Sequence, residues 1–354
     1  MGQITKVTPD MIQVANNVTS KTVGNTTSGI SLTFDSSGVI TSAANVTLLV
    51  ANTQLTGTIN ATQLAANSVN STIIAANTIS NTNIQTGAIE RYISSAGLSF
   101  GMRNRIINGG FIMNQRGHTS GTALASGSYG HDRWKGGASG GTYTFTAGST
   151  GVNITITITA GSIIQVIEGA NLPVSGTYVL SWTGTAQGKI GSGSFGSSGI
   201  TGTITAGTNT NIEFNTGTCG NVQLEFGSVA TSFDYRPFGT ELVLCQRYFY
   251  VVNSSAANVP IAVGQANGPT QAQVIIRIPT MRSAPTASLG TSTHFQLYSG
   301  GTGINSTAMS MPLATPDCIL LNVDVASGLV NNNASHFRTH ATSAGSSITL
   351  SAEL

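Results

Sequence analysis

The chain has 354 residues, enough for more than one folded unit, yet only 7% of them are charged, against about a quarter in ordinary soluble domains. A formal net charge of +2 with 40% hydrophobic residues excludes both the basic footprint of a nucleic-acid binder and the charge-rich, apolar-poor signature of a disordered chain. No stretch approaches the roughly 18 consecutive apolar residues of a membrane-spanning helix; Ser, Thr, Asn and Gly with Val and Ile take the place of charge, the composition of short strands and turns.

The opening residues, MGQITKVTPDMIQ, lack the apolar core of a secretory signal. Ile30, Leu32 and Phe34 alternate with polar residues, predicting a strand. Asp35-Ser-Ser-Gly38 follows as a turn, and a second strand at 39–41 completes a hairpin. Residues 1–51 form a polar N-terminal region.

Residues 52–90 carry an internal repeat. Leu55, Leu64, Ile74 and Ile84 recur every nine or ten residues, each followed four or five residues later by Ile59, Val69, Ile79 or Ile89. Two apolar side chains per ten residues build no core within one chain, but several chains side by side can share one. The repeat therefore predicts oligomerisation, with cyclic symmetry the simplest closure. A disordered linker is the competing reading, although a linker needs no fixed apolar register. Fully extended, the segment reaches at most roughly 130 Å.

Residues 101–240 read as a β-domain. Val152, Ile154, Ile156 and Ile158 alternate with polar residues, Tyr143 and Phe145 alternate just before them, and Tyr178, Leu180 and Trp182 share one strand face, as do Val222, Leu224 and Phe226. Gly-rich loops such as 188–199 separate these runs, which indicates a sandwich or jelly roll. Leu242, Cys245 and Phe249 then recur at helical spacing, predicting a short helix over 241–249. Residues 250–354 return to strands: Val274, Ile276 and Ile278; Phe295 and Leu297; the run Cys318–Leu321 with Val323 and Val325; and finally Ile348, Leu350, Ala352 and Leu354. Three cysteines, Cys219, Cys245 and Cys318, form no paired framework and fit assembly in a reducing cytoplasm.

Three segments resemble a recurring pattern of bacteriophage tail fibre proteins. They are Asn104–Arg116 (NRIINGGFIMNQR) with Tyr129–Trp134 (YGHDRW); Asn221–Phe238 (NVQLEFGSVATSFDYRPF); and Glu241–Phe249 (ELVLCQRYF) with Met281–Pro285 (MRSAP) downstream. The resemblance covers roughly residues 101–290. It implies a jelly-roll domain similar to carbohydrate-binding modules, a C-terminal β-domain and a homotrimer whose shaft chains intertwine. It further implies a place in the virion, attachment to tail or baseplate proteins through the N-terminus, and contact with host-surface polysaccharide or lipopolysaccharide. The expected architecture is all-β: an elongated homotrimeric fibre with N-terminal region 1–51, shaft 52–100, jelly-roll domain 101–240, connecting helix 241–249 and β-sandwich domain 250–354. The expected function is host-surface recognition and adsorption. A purely structural fibre or head decoration is one alternative, and a polysaccharide-degrading tailspike another.

Sequence support for chemistry is thin. Glycan cleavage needs two carboxylates at a defined separation, and the 12 acidic residues fall mostly at strand or turn positions; Asp132 and Arg133 read as a local pair. His336 and His340, at i and i+4 on a strand, lie about 13 Å apart, too far to share one ion. No Gly-x-Ser-x-Gly sits at a strand-to-helix elbow, and no phosphate loop or calcium loop is present. No enzyme activity, cofactor or metal is therefore expected. Sugar binding needs an aromatic face beside hydroxyl-pairing groups. The candidates are Tyr129, Trp134 and Phe195, with core packing the competing reading for Trp134. Tyr129 and Phe195 fall in Gly/Ser-rich loops, where an aromatic has less reason to be buried.

Overall fold

A computed structural model describes residues 28–47, 102–252, 256–340 and 347–354. The repeat at 52–90 and most of the N-terminal region lie outside the described residues. The chain divides into two compact units, Met1–Ser80 and Asn81–Leu354, each taken by itself below.

In the first unit, β1 (Ser28–Phe34) and β2 (Ile40–Thr47) form the expected antiparallel hairpin, with β2 longer than the sequence suggests. Asp35 closes the turn: its Oδ1 accepts the N–H groups of Ser37 and Val39, both at 2.9 Å. Gly38 takes the left-handed φ of +79° that this turn requires. Ile30, Leu32 and Phe34 stay largely exposed.

The second unit begins with a two-sheet β-domain. Its strands are β3 (Ala123–Leu124), β4 (Lys135–Thr144), β5 (Ile156–Ile167), β6 (Gly176–Thr183), β7 (Gly188–Ile190), β8 (Ile200–Ile204), β9 (Thr210–Phe214) and β10 (Gly217–Phe226). One sheet runs β3-β4-β5-β9-β7, and β10 leaves its edge at β5 to join β6 and β8 in the other. β5 is long enough to serve successive partners: besides β4, it pairs with β10 through Ile156–Ile158 and with β9 through Ile163–Ile167. Between the sheets lie Trp134, Tyr143, Ile156, Ile158, Tyr178, Leu180, Trp182, Phe214, Val222 and Leu224, nearly all without exposed surface. The period-two pattern thus identified the inward residues of β6 correctly.

Elsewhere the pattern overreaches. Val152 is 56% exposed and ends a turn, its N–H donating to Ser149 O at 3.0 Å. Ile154 then pairs with the loop at Gly110 O, 2.9 Å, instead of with a strand. The strand therefore starts only at Ile156. Phe226 ends β10 beyond the core, 56% exposed and edge-on to Tyr178.

The one α-helix among the described residues, α1 (Phe238–Gln246), starts three residues earlier than expected, straight after Pro237. Proline's fixed φ suits a helix start. Phe249, expected on the helix, instead opens a strand, because the helix ends at Gln246 and the next residues pair with the end of the chain segment at Ile348–Ser351.

The remaining strands are β11 (Phe249–Val252), β12 (Pro260–Ala266), β13 (Gln271–Arg277), β14 (Thr286–Ser288), β15 (Phe295–Ser299), β16 (Thr302–Thr315), β17 (Cys318–Val325), β18 (Ala334–Thr339) and β19 (Ile348–Ser351). Where a sandwich was expected, six of them close into a barrel in the order β12-β13-β17-β16-β15-β18. Closure removes the unpaired edges that an open sheet exposes. Val274, Ile276, Leu297, Ile319, Leu321, Val323 and the stacked pair Phe295–Phe337 fill its interior. The sheet β11-β19-β14 stands beside it.

Candidate functional site

Residues 104–116, 129–134, 221–238, 241–249 and 281–285 converge on one joint between the two-sheet domain, α1 and the barrel side. The joint begins at a bulge in β10, where Asn221 takes a left-handed φ of 47°, a conformation that Asn tolerates better than most residues. The bulge opens room for residues 104–110 to lie along β10. The Asn104 side chain acts there as a substitute strand: Oδ1 accepts from Leu224 N (3.0 Å) and Ile106 N (2.9 Å), and Nδ2 donates to Val222 O (2.9 Å). Gly109 is required at this approach, since a Cβ there would sit 2.2 Å from Val222 O. Asn108, also left-handed, holds the loop together: Nδ2 donates to Met113 O and Asp132 O, and Oδ1 accepts from Met113 N.

α1 is tied in by charge. Glu241, buried in the first helical turn, accepts from Asn108 N and pairs with Arg236 at 3.1 Å. A carboxylate here also suits the helix dipole. Arg236 donates onward to Ile106 O at 2.9 Å and to Asn104 O.

The third part of the joint is an ionic clasp on residue 353. Glu353 pairs with Arg116 at 3.0 Å and with the fully buried Arg133. Arg133 lies 3.6 Å over the Tyr248 ring, and Arg116 lies 3.7 Å over Phe249. Arg282 donates to Ala352 O (2.7 Å) and Glu353 O (3.0 Å). Asp132 pairs with Arg116 at 3.1 Å, so the expected local Asp132–Arg133 pair does not form. Burial pushes the Asp132 carboxyl up, and Arg116 partly offsets it.

The three sequence candidates separate in space. Tyr129 belongs to the joint: its hydroxyl donates to Leu354 O at 2.8 Å, and Arg116 lies 4.9 Å over its ring. Burial, then the Glu353 charge, pushes its phenol up to about 12. Trp134 has no exposed surface; its indole N–H donates to Asn108 O at 3.0 Å, and its ring packs against Phe111 and Phe214. It offers no face to a sugar, which corrects its place among the candidates. Phe195 presents the most surface of the three, 37% exposed with Lys189 4.7 Å over its ring.

Sequence reasoning missed a cleft of about 520 Å³ at the edge of the two-sheet domain, in the loop system that carries Phe195. The edge strands of the two sheets, β7 and β8, approach there. Gly202 permits the approach, since a Cβ would meet the Ile190 side chain at 3.0 Å. Thr203, Thr205, Thr208, Asn209 and Asn211 line the cleft with hydroxyls and amides, and no charged side chain lines it. The visible signal was only a Thr/Asn-rich stretch between two strands, which equally describes an ordinary turn.

His336, one of the two histidines weighed for metal binding, packs edge-on to Tyr298 at 4.9 Å. Among the described residues no group of three or more His, Cys, Asp or Glu is placed to hold a metal ion, and no helix is long and apolar enough to cross a membrane. No protein-family model, curated protein or solved structure matches the chain.

Proposed function

We propose that the protein is a fibre component of a bacteriophage virion that adheres to host-surface glycans, with the Thr/Asn cleft as one contact surface. The observation that carries the glycan contact is the lining of that cleft: hydroxyls and amides at a solvent-open groove, without charge, match a neutral polyol better than an ionic or apolar ligand. No carboxylate lines it, and the strand ladders among the described residues are antiparallel, unlike the parallel β-helix expected of a polysaccharide-cutting tailspike. Adhesion without cleavage is therefore the favoured reading. The virion setting rests on the resemblance across residues 101–290, and the assembly of three chains on that resemblance together with the apolar repeat at 52–90. In such a fibre, weak single contacts gain through multivalency, and residues 1–51 attach to tail or baseplate proteins.

The test is retention of the full chain on an array of bacterial surface polysaccharides, with its mass measured by light scattering. A three-chain species is expected, with saturable binding that drops about tenfold in a Thr203→Val, Asn211→Ala double variant, on the order of 1.4 kcal/mol per site. A monomeric full chain, or retention on no polysaccharide, would overturn the reading.

A further inference from the structure

A second concavity, of about 230 Å³, opens where the loop between β4 and β5 faces the start of α1. Its walls are built before any ligand arrives. The turn Ser149–Val152 is closed by Val152 N to Ser149 O, with Gly151 at a left-handed φ of +80°. The base of the loop is pinned by Ile154 N to Gly110 O (2.9 Å) and by Asn153 Nδ2 to Asn221 Oδ1 (2.7 Å). A prearranged wall lowers the ordering cost of binding.

The lining combines two chemistries. Phe145 and Phe238 supply aromatic surface, and Phe238 is 38% exposed although large and apolar. Asn114, His131, Ser149 and Thr150 supply polar groups, and no charged side chain takes part. The Ser149 and Thr150 hydroxyls have no hydrogen-bond partner among the described residues. Asn114 spends its Oδ1 and one amide hydrogen on the His118 backbone, which leaves one N–H.

His131 is the informative member. The Tyr143 hydroxyl oxygen accepts the His131 backbone N–H at 2.9 Å and lies 2.9 Å from its Nδ1. Either tautomer satisfies this pair, since the phenol oxygen can accept a second hydrogen or give its own to Nδ1. In both, Nε2 has no partner among the described residues and is left to donate to, or accept from, a ligand hydroxyl. Burial, with His118 nearby, lowers the imidazole to about 4, so the ring is neutral at physiological pH.

We propose that this concavity binds one uncharged pyranose ring, its C–H face on Phe145 and Phe238 and its hydroxyls on Ser149, Thr150, Asn114 and His131. The volume falls below the roughly 300–1,000 Å³ of pockets for drug-sized ligands, which suits one ring and not an oligosaccharide. The aromatic and hydroxyl-pairing mixture excludes a purely apolar ligand, and the lack of charge disfavours a sugar acid or phosphate. The site shares only its ligand class with the cleft; the two have no residue in common, and neither proposal depends on the other.

The test uses the full chain with the methyl glycosides of glucose, galactose, mannose and N-acetylglucosamine, and with methyl glucuronide as the charged control. Binding is read by saturation-transfer NMR and titration calorimetry. Saturable millimolar binding of at least one neutral glycoside is expected. Affinity should fall at least tenfold in Phe145→Ala and in Thr150→Trp, which fills the concavity from an exposed position and spares the core. No saturable binding of any neutral glycoside, binding undiminished by Thr150→Trp, or equal binding of the glucuronide would overturn the proposal. Polysaccharide retention lost only in the cleft variant would leave the cleft reading standing without this one.

Discussion

His131 shows how a single buried side chain makes stability depend on pH. Its ring is enclosed by Tyr143, Phe145 and His118, and its folded pKa falls to about 4, from 6.5. The unfolded chain therefore takes up a proton below about pH 6.5 that the folded chain refuses, and stability falls as pH drops toward 4. His118, lowered by burial as well, works in the same direction. Asp132, raised by burial, works against it at the acid end. Urea unfolding at pH 7.5, 5.5 and 4.5 should show a loss on the order of 2–3 kcal/mol from His131. A His131→Asn variant, which removes the titrating ring and keeps an amide able to pair with the Tyr143 hydroxyl, should lose most of that slope. An identical slope in the variant would place the effect elsewhere.

Among the elements, β10 and the segment alongside it depend on one amide. Asn104 satisfies the Leu224 and Ile106 N–H groups and the Val222 carbonyl. Replacing it by Ala strands buried backbone groups, at about 1–3 kcal/mol for each unsatisfied donor or acceptor. Asn104→Ala should therefore destabilise by about 3 kcal/mol and speed amide hydrogen exchange at Leu224 ahead of Leu180 on β6. The sequence made β6 legible, because Tyr178, Leu180 and Trp182 obey one period and meet one core. It misled at Val152 and Phe249, where the apolar period continues into a turn and past a helix end. Local spacing does not record that Val152 N closes a turn on Ser149, or that β11 finds its partner about 100 residues away in β19.

For the molecule as a whole, the clasp on Glu353 joins the barrel side to the two-sheet domain. Arg133 is fully buried, and removing its carboxylate leaves an uncompensated charge inside, which costs about 3–5 kcal/mol. Glu353→Ala should lower the denaturation midpoint accordingly. It should also make the connection around α1 a preferred site of limited proteolysis, while the barrel and the two-sheet domain resist as separate fragments; a wild-type cleavage pattern would argue against the clasp. The sequence by itself determined that the chain is β-rich, poor in charge and carries a short helix near 241–249, because strand period, turn residues and helical spacing are local. It also marked Phe195 as an exposed aromatic, from the Gly/Ser context of its loop. Only the tertiary structure decided that the second β-region closes into a barrel, that Tyr129 and Trp134 are spent on the joint and the core, and that the cleft and the smaller concavity exist. The barrel, the joint and the concavity are made by residues far apart in the chain, and the cleft, though lined within residues 190–211, needs edge strands of two different sheets to approach; no local pattern in a single sequence records such meetings.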